Sequence, residues 1–145
     1  MRNMSFIMTT DAFRSGEKTV TRRLGWWGLK PGDRFMGIKQ GQGLKKGEHV
    51  IRLHPAEVIS TRFECLENIT IRDLPLEGFP DMTTEDFIQR FMEHNAAKCK
   101  KDGRRTLVNR IQFKHLSLCP GCLYPVAYLG DYCGECLCED DCAPD

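Results

Sequence analysis

Apolar positions in this chain come in short runs, and most of the runs have the period of a strand rather than a helix. Asn3 to Met8 reads as a first strand. Thr9 or Thr10 can cap a brief helix through Phe13, which Gly16 ends. The β-branched Thr-Val-Thr start of Thr19 to Arg23 predicts a second strand. A Pro-Gly turn over Lys30 to Asp33 leads to a third, Phe35 to Lys39. His49 to Phe63 is a long extended stretch rich in Val and Ile. Pro55 lies inside it and cannot donate to a ladder, so it marks an edge, a bend or a break. In a small barrel such a break lets one stretch serve two neighbours. Thr70 to Leu76 suggests a helical turn. Thr83 or Thr84 then caps a helix, with Asp86 near the capping-box position. Phe87, Ile88, Phe91 and Met92 form its stripe at helical spacing, which reads as core, and the helix frays by Asn95. Lys98 to Arg105 reads as a basic connector. Leu107, Ile111 and Phe113 alternate with Val108, Arg110, Gln112 and Lys114, a half-buried final strand.

Charge changes this picture more than composition does. The chain has 145 residues, 41% of them hydrophobic, enough for one domain with a core plus an appendage. Its net charge of +1 conceals two halves. Residues 1–114 hold all 21 Lys and Arg and 14 of the 20 acids, a balance of +7; residues 115–145 hold six acids and no Lys or Arg. A basic body suggests a polyanionic partner, RNA or DNA, including single strands. No window is apolar enough to cross a membrane, and the N-terminus has no signal-peptide apolar region, so a cytoplasmic protein is expected. The loop from Gly41 to Gly47 lacks P-loop spacing and reads as a hairpin connection. His49 and His54 have no partners at metal spacing and read as structural.

The candidate chemistry gathers in Gly16-Glu17-Lys18-Thr19-Val20-Thr21-Arg22-Arg23. Gly16 permits a turn or a close approach to a ligand. Lys18 offers a point charge, Arg22 and Arg23 rigid forks, and Thr21 a hydroxyl that donates, accepts or attacks. On composition alone such a stretch is a solvated basic edge strand. On a strand Thr21 and Arg23 share one face, with Val20, Arg22 and Lys18 on the other. Lys18 therefore needs the turn at Gly16 or a bulge to join Thr21 in one pocket. Next come Trp26 and Trp27, flanked by Gly25 and Gly28. One is expected in the core, and either could stack a base. Lys98, Lys100 and Lys101 are candidates for phosphate contacts.

Gly16, Lys18 and Arg23 fit the G-x-K-x-x-x-x-R pattern of the ASCH family of small, PUA-like domains, which this chain resembles. Leu29-Lys30-Pro31-Gly32-Asp33-Arg34 is similar to the family's turn into its next strand, and Val108-Asn109-Arg110-Ile111-Gln112-Phe113 to its closing strand. The resemblance spans about residues 4–115. It implies a mainly β (α+β) domain at residues 1–116, a PUA-like β-barrel with short helices. It also implies a role on RNA or a nucleoside. One branch of the family hydrolyses the acetyl group of N4-acetylcytidine with a lysine, a threonine and a glutamate, which by motif position correspond to Lys18, Thr21 and Glu77; other members are linked to RNA cleavage. Asp81 and Glu85 are the alternative carboxylates, because Gly78, Phe79 and Pro80 depart from that branch. A lysine desolvated beside Arg22 or Arg23 could take the threonine proton, and a carboxylate could manage protons on the leaving amine. The alternatives are a non-catalytic reader of RNA or a modified base and a protein-interaction module.

Residues 117–145 are of another kind. Cys119-Pro120-Gly121-Cys122 and Cys133-Gly134-Glu135-Cys136 are two C-x-x-C knuckles, the spacing of a zinc ribbon. Four thiolates leave no open position, so one Zn²⁺ there is expected to be structural. Disulfides or an iron–sulfur cluster are the other uses of such cysteines, and Cys138 or Cys142 could replace a ligand. The acidic ribbon is the surface a protein partner would meet. Cys65 and Cys99 read as ordinary small buried residues.

Overall fold

The computed structural model describes residues 1–41, 43–118 and 125–126; Cys119, Cys122, Cys133 and Cys136 lie outside the described residues. Five strands, β1 (Arg2–Ser5), β2 (Val20–Arg23), β3 (Arg34–Ile38), β4 (Arg52–Cys65) and β5 (Leu107–His115), form one sheet. Its order is β1-β3-β4-β5-β2. β1 runs parallel to β3, and the other pairs are antiparallel. Four short helices surround it: α1 (Thr10–Ser15), α2 (Asp73–Glu77), α3 (Thr84–His94) and α4 (Ala96–Cys99). A two-residue ladder joins β6 (Ser117–Leu118) to β7 (Pro125–Val126). Among the described residues no helix is long and apolar enough to cross a membrane.

Pro55 does not break β4. It pairs with Met36, and the ladder shifts register just beyond, where Ile38 pairs with Arg52 and β4 carries the extra residue. The missing N–H thus lies beside an irregularity in its own strand. β4 pairs with β3 through its first residues and with β5 from Ala56 to Cys65, so one stretch does serve two neighbours.

β1 and β2 are the two edges of the sheet. They are nevertheless close, because the Arg23 guanidinium at the end of β2 donates to the Ser5 carbonyl at the end of β1. Twist has curled the sheet into a half-barrel whose seam is bridged by a side chain and not by a ladder. Inside it Met4, Phe6, Phe13, Phe35, Val58, Ile111 and Phe113 form the first core. Phe13 reaches that core from α1, over Gly37, where a Cβ would stand 2.3 Å from its ring. A second core lies outside the sheet, where Leu74 of α2 and Phe87 and Ile88 of α3 pack with Leu66 and Val108.

β5 therefore buries both of its faces in different places. Ile111 and Phe113 point into the half-barrel, whereas Val108 points the other way, into the second core. Leu107, expected on the buried face, is 49% exposed because its end of the strand runs past the barrel interior. The expected basic connector is also more ordered than its composition implies. It begins in the last turn of α4 and holds a 3-10 turn at Gly103–Arg105, and Arg104 forks onto Glu85 at 2.6 and 2.7 Å.

Candidate active site

The seam between β1 and β2 opens into a cavity of about 370 Å³. Ser5 to Thr9 form one wall and β2 with its flanks another, while Glu77, Phe79 and the inner side of α3 close it. The position of β2 at the sheet edge settles how Lys18 and Thr21 meet. Lys18 and Arg22 lie on the face covered by α2, and Thr21 and Arg23 on the barrel face, yet all four line the cavity. Beyond an edge strand there is no next strand to separate its two faces. Lys18 itself precedes β2, in the turn that follows the left-handed Gly16, its N–H donating to the Ala12 carbonyl at 3.0 Å.

Lys18 is 3% exposed and Glu77 2%. The lysine Nζ donates to the Glu77 carbonyl at 2.5 Å and to its Oε1 at 3.2 Å. That carbonyl is at the last turn of α2, where helix carbonyls lack internal donors and a cation is favoured. Arg22 Nη1 donates to the other carboxylate oxygen, Oε2, at 2.9 Å, so each Glu77 oxygen has its own cation. Arg22 Nη2 also reaches Asp73 Oδ2 at 2.5 Å, and Arg110 donates to the same oxygen at 2.8 Å and to Oδ1 at 3.1 Å. Asp73 and Glu77 are four residues apart, one helical turn, so one arginine on β2 holds both ends of α2. Gly78 ends that helix in the left-handed region at φ 98°, where an added Cβ would crowd Ala12 and Thr9.

Burial lowers the Lys18 pKa below the ordinary lysine value; Glu77 opposes the shift, and Arg23 and Arg22 add to it. Burial also brings Arg23 down to about 10, with Glu77 opposing. For Arg22 burial acts against the charge, but Glu77, Asp73 and Glu64 outweigh it and the pKa rises. The Arg110 hydrogen bonds, with those of Arg22, hold Asp73 down at about 2 against its burial.

The Thr21 hydroxyl accepts from Arg23 Nε at 3.1 Å. That bond leaves its proton free to donate, and the guanidinium would favour an alkoxide. Lys18 Nζ makes no hydrogen bond to Thr21; its two bonds both go to Glu77.

Sequence reasoning did not find the support behind Lys18. His54, read as a lone structural histidine, meets His115 at 2.5 Å, and His115 Nε2 meets the Lys18 carbonyl at 2.6 Å. A carbonyl only accepts, so His115 carries its proton on Nε2, and its Nδ1 accepts from His54 Nε2–H. Burial, then its neighbour His115, lowers His54 to about 4; burial also lowers His115, against its bond to the Lys18 carbonyl. The two histidines are 61 residues apart, and no local pattern joins them.

Of the two tryptophans, Trp26 lines the cavity and Trp27 does not; Trp27 packs edge-on against Phe63 and is 43% exposed. Trp26 holds φ at 59°, a strained value for a bulky residue. Asn109 Nδ2 donates to its carbonyl at 2.9 Å, and the Arg2 guanidinium lies 3.9 Å from its ring centre. Lys98 is in the lining, but Gly16, Lys100 and Lys101 are not; Gly16 is the left-handed cap of α1. Of the alternative carboxylates, Asp81 is not in this lining and Glu85 is paired with Arg104 at the surface. Phe87 and Phe91, expected as core alone, also line the cavity. Among the described residues no cluster of His, Cys, Asp and Glu is arranged to hold a metal.

No protein-family model and no curated protein matches the chain. Solved structures do. An ASCH domain from Lactobacillus crispatus JV V101 is similar with 15% identity and a TM-score of 0.57, over 79% of this chain and 78% of that one. A DUF984 protein from Enterococcus faecalis V583 is similar with 15% identity and a TM-score of 0.58, over the same shares. An ASCH protein from Zymomonas mobilis is similar with 11% identity and a TM-score of 0.50, over 86% of this chain and 70% of that one. Residues of the half-barrel and its helices therefore adopt the fold of solved ASCH domains.

Proposed function

We propose that the seam cavity binds a nucleoside, free or in RNA, and hydrolyses an acyl group from its base, with N4-acetylcytidine as the first substrate to test. The observation that carries this reading is the buried Lys18–Glu77 pair opening on the same cavity as the Thr21 hydroxyl. Aromatic side chains, Trp26, Phe79 and Phe91, supply flat walls for a base. In the proposed reaction Thr21 Oγ adds to the acyl carbonyl carbon as its proton passes to Lys18 Nζ. Burial favours the neutral amine needed for that role. The C–N bond then breaks, the amine leaves with the proton, and water cleaves the threonyl ester. Glu77 holds Lys18 between these steps. Its bond to Lys18 must loosen for the amine to reach Thr21.

That requirement supports a second reading, a non-catalytic reader in which Lys18 stays on Glu77 and the cavity only recognises the base. One experiment separates the two. The parent, Lys18→Arg and Thr21→Val are incubated with N4-acetylcytidine and with RNA. Hydrolysis predicts deacetylated product from the parent and a loss of at least about 100-fold in both variants. Arginine keeps the charge but cannot give up its proton. Ligand binding by a parent that yields neither deacetylated nucleoside nor cleaved RNA assigns the cavity to the reader. Full activity in Lys18→Arg makes the lysine a clamp and overturns its role as base.

For residues 117–145 the proposal is one structural zinc on Cys119, Cys122, Cys133 and Cys136, on the strength of the paired knuckles.

A further inference from the structure

The cavity is strongly biased in charge. Lys18, Arg22, Arg23, Arg90 and Lys98 line it, against the single carboxylate of Glu77. The inner cations are committed, since Lys18 and Arg22 hold Glu77 and Arg23 holds Thr21 and Ser5. The outer two are not. Among the described residues neither Arg90 nor Lys98 forms an ion pair; Arg90 only lies over the Phe79 ring, 5.9 Å from its centre. Elsewhere on the helical side the surface arginines Arg104 and Arg105 are paired with Glu85 and Glu67.

Position along α3 adds direction. Phe87, Arg90, Phe91 and His94 recur at helical spacing and present one face to the cavity, and Lys98 on α4 continues the stripe. Phe87 is buried and Phe91 half-buried, whereas Arg90, His94 and Lys98 are exposed. The stripe thus runs from an apolar wall to a cationic mouth. A ligand that matches it is planar at one end and anionic at the other.

We infer that the ligand carries a phosphate ester, held at the mouth by Arg90 and Lys98 while its base lies against Phe87 and Phe91. This rests on the reading of the cavity as a nucleoside site, and it distinguishes a nucleotide from a free nucleoside. Arg90 offers a fork and Lys98 a point charge, the two kinds of donor that take phosphate oxygens. His94, on the same stripe, adds a ring N–H within the mouth. The same phosphate chemistry is present in a free mononucleotide and in one residue of an RNA strand.

The test is calorimetric titration of the full chain with cytidine, cytidine 5′-monophosphate, ribose 5-phosphate and a short cytidine oligoribonucleotide. Parent and the Arg90→Gln/Lys98→Gln double variant are compared after their circular dichroism is shown to match, with Lys98→Gln alone as a second variant. The expectation is that the parent binds the monophosphate at least about tenfold more tightly than cytidine, and that the double variant binds the two alike. Lys98→Gln alone should narrow the gap. Cytidine and its monophosphate binding the parent equally overturns the phosphate site and leaves the nucleoside reading standing. A gap that persists in the double variant also overturns it. If ribose 5-phosphate binds in an Arg90- and Lys98-dependent way but cytidine does not bind, the nucleoside reading fails and the phosphate site stands. No binding by any phosphate ester overturns the inference. Tighter binding of the oligonucleotide than of the monophosphate supports the site and assigns it to a strand; the reverse order supports it and assigns it to a free nucleotide.

Discussion

Lys18 is a buried cation whose carboxylate partner already has Arg22 on its other oxygen. The two members of the pair therefore differ in what their removal does. Glu77→Ala takes the carboxylate from Lys18 and one of the acceptors of Arg22, and should cost about 3–5 kcal/mol of stability. Lys18→Met removes a desolvated charge, keeps the length and leaves Glu77 on Arg22, so its stability should stay within about 1 kcal/mol of the parent. Urea unfolding of both variants decides this; a Lys18→Met variant as unstable as Glu77→Ala would mean that the lysine is there for structure. The histidines behind Lys18 make a pH prediction. His54 is lowered from an ordinary 6.5 to about 4 in the folded protein. Between those values the unfolded chain takes up the proton and the folded chain does not, so stability rises with pH. The contribution is complete above about 6.5 and is lost as pH falls through about 4. The urea midpoint of the parent should fall over that window, and His54→Gln should reduce the fall. A midpoint flat from pH 6.5 to 4 contradicts the pairing.

At the scale of elements, α2 is too short to be stable by itself, with five residues against the three or four turns typical of helices. It exists because Arg22 ties Asp73 and Glu77 to β2, because Leu74 is buried, and because Gly78 stops it in the left-handed region. A side chain at Gly78 would be strained by its φ of 98° and would stand 3.1 Å from Ala12 Cβ and 3.2 Å from Thr9 Cγ2. Gly78→Ala should therefore cost about 1–3 kcal/mol. It should also displace Glu77 from Lys18, so the ligand affinity of the folded fraction should fall as well. Thermal unfolding and titration together check this. Unchanged values in both would show that the corner gives way easily. α3 has a more local origin. Thr83 accepts from the Asp86 N–H at 3.1 Å, and the Phe87–Ile88 face follows at helical spacing.

For the whole molecule, the division of charge separates a basic half-barrel, with a seam cavity lined by cations, from an acidic cysteine-rich segment. If that segment folds around zinc, protein purified without chelator should contain one zinc per chain. Replacing Cys119 and Cys122 with Ser should remove it while the half-barrel still unfolds cooperatively. Elemental analysis finding no zinc, or the four sulfurs in disulfides, would end the proposal.

Local sequence determined the approximate run of the five strands of the main sheet, the cap of α3, the stop of α1 at Gly16 and the approximate run of every α-helix except α4. Those features depend on neighbours within a turn or a pleat, and the apolar period, Gly and Thr record such neighbours directly. The resemblance to ASCH domains also brought Lys18, Thr21 and Glu77 forward as a set. Tertiary structure alone decided how they meet. Lys18 precedes β2 and Thr21 lies on its barrel face, and it takes the left-handed turn at Gly16 and the place of β2 at the sheet edge to let both open on a single cavity. It likewise decided between Trp26 and Trp27, whose sequence surroundings are alike, through an Asn109 bond across 83 residues. It gave the apolar stripe of α3 a second use, because the cavity borders the core. The His54–His115 support and the exposed Leu107 follow from strand pairing and curl. Both depend on the path of the chain between distant segments, which no local pattern of residues encodes.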